Sequence, residues 1–328
     1  MRFISIFSKA AIVAALVFGT TSCSDDDDNI ITPPVVLDIV ETAQTTADLS
    51  SLVAALGVAD GDLATVLGGD GPYTVLAPTN DAFEKFLTDN GFNTDLSDVP
   101  TDLLQAILLN HVISGEVRSS DLESGDGAGY RSTLSPGPVD DTNLNLYFNT
   151  SSGVQFNGIS TVTTANIEAT NGIIHIVDAV IGLPDVTTFV TADPNFSRLE
   201  EALTAHDFTY VTTLQGDGPF TVFAPNNAAF DALLATEDTW NVPGDIQKAT
   251  LETALNTHVI SGKNLREADL ADGEETTLGG GILIDATNKT VSDGSDPVIE
   301  SSIITTNVQA ANGVIHVIDN VLLIGRPL

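Results

Sequence analysis

The chain has 328 residues, of which 42% are hydrophobic and 17% are charged, a balance typical of globular domains and not of disordered chains. It carries 45 acidic residues against 11 basic ones, so its formal net charge is −34 at pH 7. This excess excludes nucleic acid as a partner, and it excludes electrostatic attachment to anionic lipid, because both need clusters of Lys and Arg. Solubility or a saline habitat accounts for the acidity; divalent-cation binding or attraction to basic partners is the alternative.

Residues 1–22 are predicted to be a targeting segment that does not belong to the folded protein. Arg2 and Lys9 form a basic start, and the apolar stretch 10–18 is too short to span a bilayer. Small residues then lead to Cys23, the only cysteine of the chain, which cannot form an intrachain disulfide. The arrangement resembles a bacterial lipoprotein signal, which implies that Cys23 is lipid-modified. An ordinary secreted protein with an incidental cysteine is the alternative.

Four aspartates lie close behind Cys23, and residues 23–35 are predicted to be a solvated, acidic tether. The aspartate run resembles the acidic tag of surface-exposed lipoproteins in Bacteroidetes-type bacteria. This resemblance implies a protein of the bacterial outer membrane that faces the outside and is attached to the membrane through its N-terminal lipid alone.

The rest of the chain contains one module twice. The segment DGPYTVLAPTNDAFEKF at 70–86 returns as DGPFTVFAPNNAAFDAL at 217–233. HVISG occurs at 111–115 and at 258–262, and NGIIHIVD at 171–178 returns as NGVIHVID at 312–319. Repeats this long indicate two folded units in tandem, which we place at 36–184 and 185–328. The linker around 182–184 is short, so we expect the two units to abut.

In chain order, each unit begins with helical patterns and ends with strand patterns. In the first unit, a helix is expected after Asp48 as its N-cap, then a turn at 68–72, a buried strand at 73–77 and a helix that starts near Asn80. A further helix is predicted at 101–110. Period-two alternation predicts a strand near 144–148, and a Thr-rich, β-branched composition favours another at 159–167. Asn171-Gly172 is predicted as a two-residue hairpin turn. Each unit is therefore predicted to be α+β, with N-terminal helices packed on a mostly antiparallel sheet or sandwich.

These motifs resemble the fasciclin domain family. Its first block, T-x-F-A-P-T-N-x-A-F, matches residues 74–83 and 221–230, and its second block, N-G-x-x-H-x-I/V-D, matches 171–178 and 312–319. Between the blocks the family places Tyr-His, where this chain has Asn110-His111 and Thr257-His258. The resemblance covers nearly all of 36–328.

The resemblance implies an extracellular adhesion or matrix-interaction module. It is similar to domains of animal matrix proteins, plant cell-wall arabinogalactan proteins and secreted bacterial proteins, and the family has no common catalytic site. In animal members the Tyr-His region is linked to receptor contact; the tyrosine is missing here, so that contact is not carried over. The expected partners are extracellular matrix, a glycan or a neighbouring cell surface.

The motif residues are expected to be structural. The prolines of the first block should shape a strand-to-helix corner, the asparagines should cap the following helix, and the histidines should donate to backbone carbonyls within an apolar core. A metal or catalytic histidine cluster is the alternative. The residues concerned are Pro78, Asn80, His111, His175, Pro225, Asn227, His258 and His316.

Signatures of enzymes and cofactors are missing from the sequence: it has no G-x-S-x-G, H-E-x-x-H or G-x-x-x-x-G-K-[ST] motif. The acidic loops 121–126, 140–141 and 293–296 are expected to be solvated; weak Ca²⁺ binding is the alternative, and none of them has the EF-hand pattern. We therefore expect no catalytic residue and no cofactor. The alternatives are a carbohydrate-binding accessory lipoprotein for nutrient uptake and an enzyme with a cryptic acidic cleft.

Overall fold

The computed structural model of the chain describes residues 36–92, 95–294 and 298–323. The predicted leader, the acidic tether and Cys23 lie outside the described residues. No helix in this described part has both the length and the apolar character that crossing a bilayer requires.

The first repeat contains six α-helices and seven strands within the described residues. The helices are α1 Ile39–Thr45, α2 Ser50–Val58, α3 Leu63–Leu67, α4 Asn80–Asp89, α5 Thr101–Asn110 and α6 Ser119–Glu123. The strands are β1 Tyr73–Pro78, β2 Val112–Ser114, β3 Ala128–Pro136, β4 Asn143–Asn149, β5 Gln155–Phe156, β6 Ser160–Ala169 and β7 Gly172–Val177.

The second repeat follows the same order, with a short 3-10 turn, Glu267–Asp269, in place of α6. Its helices are α7 Val186–Ala192, α8 Ser197–Thr204, α9 Tyr210–Leu214, α10 Asn227–Leu234 and α11 Lys248–Thr257. Its strands are β8 Phe220–Pro225, β9 Val259–Ser261, β10 Gly273–Thr277, β11 Gly280–Asp285, β12 Thr290–Ser292, β13 Glu300–Ala310 and β14 Gly313–Ile318.

The strands of the first repeat close into a barrel in the order β1 to β7, and those of the second form a seven-stranded sheet in the corresponding order β10-β11-β12-β13-β14-β8-β9. All neighbours are antiparallel except β1 with β7 and β8 with β14, which run parallel. The α+β prediction with mostly antiparallel strands is confirmed. The parallel pairs bring the two family motifs together, because the first block forms β1 or β8 and the second forms β7 or β14.

Strand β1 separates two cores. Its side chains alternate, so Val75 and Ala77 pack with the N-terminal helices, whereas Leu76 packs inside the barrel with Leu146 and Phe156. Five of its six residues are buried, because the strand has neighbours on both edges and apolar layers on both faces. This explains why its sequence is apolar without interruption from Val75 to Pro78 and does not alternate.

Two local predictions are wrong: the position of the hairpin turn, which differs by one residue, and the N-cap of α2. The hairpin turns lie at 170–171 and 311–312, so that Gly172 is already the first residue of β7. Gly172 is needed there because a Cβ would lie 1.9 Å from the carbonyl oxygen of Tyr73. Asp48 does not cap α2; it lies inside a short 3-10 turn, Ala47–Leu49, that precedes the helix.

The two repeats abut, as the short linker predicts, and the described residues from Val36 onward form a single compact unit. Asp185 directly caps α7, and the amide of Ala311 donates to the carbonyl oxygen of Pro184 at 2.7 Å. Tyr130 and Tyr147 of the first repeat pack into the core of the second.

Polar contacts fix this interface. The hydroxyl of Tyr130 donates to Asp193 Oδ2 at 2.8 Å, and its ring meets Phe189 edge-on at 5.6 Å. The amide of Gln309 donates to Asn145 Oδ1 at 2.7 Å. Burial raises the pKa of Tyr130, so its hydroxyl stays protonated and remains a donor.

Replacing Tyr130 by phenylalanine is expected to lower the free energy of unfolding by about 1–3 kcal/mol, because Asp193 stays buried and loses a donor. Urea unfolding of the full chain measures the change. Tyr210→Phe is the matched control, since its hydroxyl donates to Glu252 within the second repeat near the surface. Equal losses in both variants would contradict a special role of the interface bond.

Candidate functional site

The asparagines of the first motif block do not cap the helices that they start. The caps are Thr79 for α4 and Asn226 for α10, which accept from the amides of Ala82 and Ala229. The prediction for Asn80 and Asn227 is therefore wrong in this respect.

Asn80 instead reaches back to the preceding helix. Its Oδ1 accepts from the amide of Ser51 at 2.8 Å, at the start of α2, and its Nδ2 donates to Ala47 at 3.0 Å. Asn227 repeats this geometry with the amide of Arg198 at 2.9 Å and the carbonyl oxygen of Pro194 at 2.9 Å. Each asparagine thus supplies the cap of α2 or α8 from a distant part of the chain.

The motif prolines end the central strands. Pro78 pairs with Val177 across the parallel edge, and Pro225 pairs with Ile318. The next residue, Thr79, donates its amide to the Val177 carbonyl at 3.1 Å and then caps α4. The chain turns from strand to helix at this point, which is the corner that the sequence predicted.

His111 and His258 lie at the ends of α5 and α11 and are almost fully buried. In His111, Nδ1 donates to the Ile107 carbonyl at 2.7 Å and Nε2 accepts from the Ile181 amide at 2.9 Å. His258 does the same with Ala254 at 2.6 Å and Leu322 at 3.0 Å. In each histidine both ring nitrogens are hydrogen-bonded. Burial lowers the pKa of each ring to about 4, so both histidines are neutral at pH 7.

His175 and His316 lie on β7 and β14. Nε2 of His175 donates to Val117 at 2.9 Å, and its Nδ1 accepts from the Asn166 amide at 3.3 Å. Nε2 of His316 donates to Leu265 at 2.8 Å, while its Nδ1 has no hydrogen-bond partner among the described residues. Burial lowers the pKa of both rings, so they too favour the neutral form.

The residues in place of the family tyrosine point inward. Asn110 is fully buried and donates to the Gly182 carbonyl at 3.0 Å, next to the linker. Thr257 is also fully buried and donates to the Thr253 carbonyl at 2.8 Å within its own helix. These two positions therefore offer no side chain to an external partner.

Two carboxylates of the acidic loops already accept hydrogen bonds from backbone amides, whereas residues 295 and 296 lie outside the described residues. Asp293 is buried, and its two carboxylate oxygens accept from the amides of Ile299 and Leu323. Asp121 accepts from the amide of Arg118 at the start of α6. Across 36–92, 95–294 and 298–323, no group of three or more His, Cys, Asp or Glu side chains is arranged to hold a metal ion.

Asn171 and Asn312 hydrogen-bond to backbone groups of distant segments of their repeats. The sequence predicted only a turn at these positions. Nδ2 of Asn171 donates to the carbonyl oxygens of Leu67 at 2.7 Å and Gly69 at 2.8 Å, and its Oδ1 accepts from the Ile39 amide at 3.0 Å. Asn312 makes the same three bonds in the second repeat. Their recurrence at the head of the second motif block was the available signal.

Three hollows on the surface are candidates for contact with a partner. One of about 220 Å³ lies where the repeats meet, between the β4–β6 region and residues 192–194. A second of about 530 Å³ also lies between the repeats, lined by residues that include Asp140, Asp141 and Arg266. A third of about 600 Å³ lies along α8 and includes Glu200 and Glu201.

Comparison with known proteins decides the family. The model of the fasciclin domain matches residues 47–184 and again residues 194–324. The chain belongs to the fasciclin domain family. The two matched segments fall within the two repeats, and each contains both motif blocks.

Curated relatives include longer animal proteins. The chain is 29% identical over 265 residues to transforming growth factor-beta-induced protein ig-h3 of Sus scrofa, covering 78% of this chain and 35% of that protein. It is 29% identical over 263 residues to human periostin, covering 78% of this chain and 29% of periostin. An uncharacterised protein of Synechocystis is 37% identical over 145 residues, which is 44% of this chain and all of that protein.

Among solved structures, the fold is similar to a FAS1 domain pair from the insect cell adhesion molecule Fasciclin I. The TM-score is 0.51 at 19% identity, and the match covers 84% of this chain and 97% of the pair. At this identity the similarity concerns the tandem fold.

Proposed function

We propose that this chain is a non-catalytic adhesion or matrix-interaction lipoprotein, displayed on the bacterial surface through a lipid on Cys23. The observation that carries the proposal is the pair of fasciclin domains joined through a buried interface. The similarity to a domain pair from an insect cell adhesion molecule supports the adhesive role. The leader that resembles a lipoprotein signal supports the anchor.

The mechanism is weak contact repeated many times. A rigid pair of domains on a tether of about a dozen residues, present in many copies on one membrane, gains avidity through effective concentration without needing a tight single contact. The interface at Tyr130 holds the two repeats in one orientation, so one copy presents a fixed surface.

The charge of the protein surface indicates which charge its partner carries. Five of the cationic side chains in the described residues form ion pairs with carboxylates of this chain, namely Lys85, Arg118, Arg198, Lys263 and Lys289. The surface is therefore strongly acidic with few uncommitted cations, which favours neutral or basic partners over anionic ones.

Within the described residues, every carboxyl group with a shifted pKa has it lowered, which does not favour the enzyme alternative. A glycosidase needs a carboxylic acid whose pKa is raised. The carboxyl groups of Asp95, Asp245 and Asp285 have lowered pKa values because backbone amides donate to them. That of Glu267 is lowered by Lys289.

The test of adhesion is a binding screen with the full chain, held in a detergent whose headgroup is not a sugar. Glycans and matrix proteins are arrayed with and without Ca²⁺, and whole cells are included as a third target. Selective retention on any of the three is the expected result. Binding to none of the three kinds of target, or hydrolytic turnover of any of them, would contradict the proposal.

Replacing Cys23 by alanine is expected to move the protein out of the membrane fraction or to block its processing, because the lipid is proposed as the single anchor. Cell fractionation and immunoblotting of the mutant measure this. Ser22→Ala keeps the cysteine and a small residue before it, and serves as the control. Unchanged membrane retention of the Cys23 variant would exclude the lipid anchor.

A further inference from the structure

The hollow of about 220 Å³ at the junction of the two repeats has walls from both of them. We call it the junction groove. The first repeat contributes residues of β4, β5 and β6 and the connections between them, and the second contributes Ala192 and Pro194 at the end of α7 and just beyond it. A single fasciclin domain would not contain it.

The groove carries no charged side chain, in a chain whose net charge is −34. The two other hollows are lined by carboxylates, including Asp140 and Asp141 in one and Glu200 and Glu201 in the other. The two carboxylates beside the groove, Asp178 and Asp193, already accept hydrogen bonds from the Thr161 amide and the Tyr130 hydroxyl. An anionic ligand would approach against the field of the whole chain. The electrostatics therefore favour an uncharged ligand.

The side chains along the groove have free hydrogen-bonding capacity. Ser151, Ser152, Gln155 and Thr161 line it, and none of these four side chains has a hydrogen bond to another described residue. Together they offer hydroxyl and amide groups that both donate and accept. A ligand rich in hydroxyl groups matches this pattern, because each of its hydroxyls can also donate and accept.

The floor and walls are fixed before any ligand arrives. Tyr147 lies beneath the groove, with Asn149 donating to its hydroxyl at 3.3 Å, and the Tyr147 amide donates to Asn157 Oδ1 at 2.8 Å. The bond from Tyr130 to Asp193 holds the second wall in place. Pre-formed walls reduce the entropy that binding would cost.

We infer that the junction groove binds one residue of an uncharged glycan. The inference rests on the proposed adhesive function and names the chemical class of its ligand. A volume of about 220 Å³ is smaller than the pocket of ~300–1,000 Å³ that holds a drug-sized ligand, so the groove accommodates one unit of a longer chain whose neighbours extend into solvent.

The experiment titrates the full chain, in the same sugar-free detergent, with neutral oligomers of glucose, mannose and galactose and with oligogalacturonate as the charged probe. The test variant is Ser152→Ala with Gln155→Ala, two side chains that are not buried and whose loss leaves the cores intact. The control is Thr287→Ala with Thr290→Ala, in the corresponding β11–β12 turn and at the first residue of β12, which lie outside the groove.

At least one neutral oligomer should bind, the test variant should bind it about tenfold more weakly, and the control should bind it like the native chain. Binding of oligogalacturonate as tightly as the neutral oligomer would overturn the choice of an uncharged ligand. Equal binding of neutral oligomers by both variants would overturn the groove as the site while leaving glycan adhesion standing. Adhesion only to matrix proteins or cells, unchanged in the test variant, would overturn the inference and leave the proposed function intact.

Discussion

Replacing Asn171 by alanine is expected to lower the free energy of unfolding by about 3–5 kcal/mol, the largest effect that we expect from a single polar side chain in the first repeat. The side chain is 7% exposed and makes three hydrogen bonds to backbone groups of the segments before β1. Alanine would leave the Leu67 and Gly69 carbonyls and the Ile39 amide without this partner. An unpaired buried polar group costs more than the bond itself contributed.

Urea unfolding of the full chain at pH 7 measures this loss. Asn312→Ala should destabilise the second repeat to a similar extent, because its three bonds have nearly the same lengths. Asn90→Ala is the control: it also removes an asparagine that donates to a backbone carbonyl, but at an exposed helix end. Losses below about 1 kcal/mol in both buried variants would contradict the bridging role.

Replacing Asn171 by aspartate removes the two hydrogen-bond donors of the side chain but keeps its acceptor, so the effect of the donors can be measured alone. Asn171→Asp keeps an oxygen for the Ile39 amide but turns a carboxylate towards two carbonyl oxygens. We therefore expect it to be at least as destabilising as alanine at pH 7, and less so at acid pH, where a protonated carboxyl can donate once. A fully stable aspartate variant would show that the two carbonyls need no donor.

The sequence predicted those features of the fold that short-range patterns determine. The apolar run of β1, the alternation of β4 and the duplicated motifs identified the strands, the repeats and the family. Rules that assign a helix cap from the residues next to the helix did not predict the caps correctly. The cap of α2 is Asn80, 30 positions downstream of Ser50, and no local rule indicates that an asparagine at the start of one helix serves another.

The short linker predicted that the repeats abut, but the residues that form the contact escaped prediction for a related reason. Tyr130 and Tyr147 lie on a face of β3 and β4 that a lone domain would expose, and only the second repeat buries them. The duplication itself held a signal. The segment GYRSTL at 129–134 returns as GEETTL at 273–278, so Glu274 stands where the first repeat has Tyr130. A tyrosine in β3 and a glutamate at the equivalent position of β10 indicate that this strand face is buried by another domain in the first repeat and exposed in the second.

Lowering the pH from 7.5 to 5.0 is expected to remove about 2 kcal/mol of stability for each of His111 and His258. Burial lowers the pKa of both rings to about 4, below the ordinary value of 6.5. As the pH falls below 6.5, the unfolded chain takes up these protons while the native chain does not. The stabilising contribution is therefore complete above about pH 6.5 and is lost as the pH falls towards 4.

Carboxyl groups with lowered pKa values act in a different pH window. Those of Asp95, Asp245 and Asp285 stabilise the native state above their ordinary value of 3.8 and lose that effect as the pH falls below it. Measurements between pH 7.5 and 5.0 therefore report mainly on the histidines. His175 and His316, whose pKa values are also lowered by burial, add to the loss in the same direction.

The measurement is the free energy of unfolding in urea at pH 7.5 and 5.0 for the native chain, for His111→Gln, for His258→Gln and for the double variant. Glutamine cannot titrate, so each single variant should lose about 2 kcal/mol of the pH dependence, whatever its stability at pH 7.5, and the double variant about twice that. The two rings lie in separate repeats, which is why additivity is expected. If the free energy of unfolding had the same pH dependence in the native chain and in the double variant, the buried rings would be protonated in the folded protein at pH 5.0. Their hydrogen bonds from the amides of Ile181 and Leu322 would then be lost, because a protonated Nε2 cannot accept.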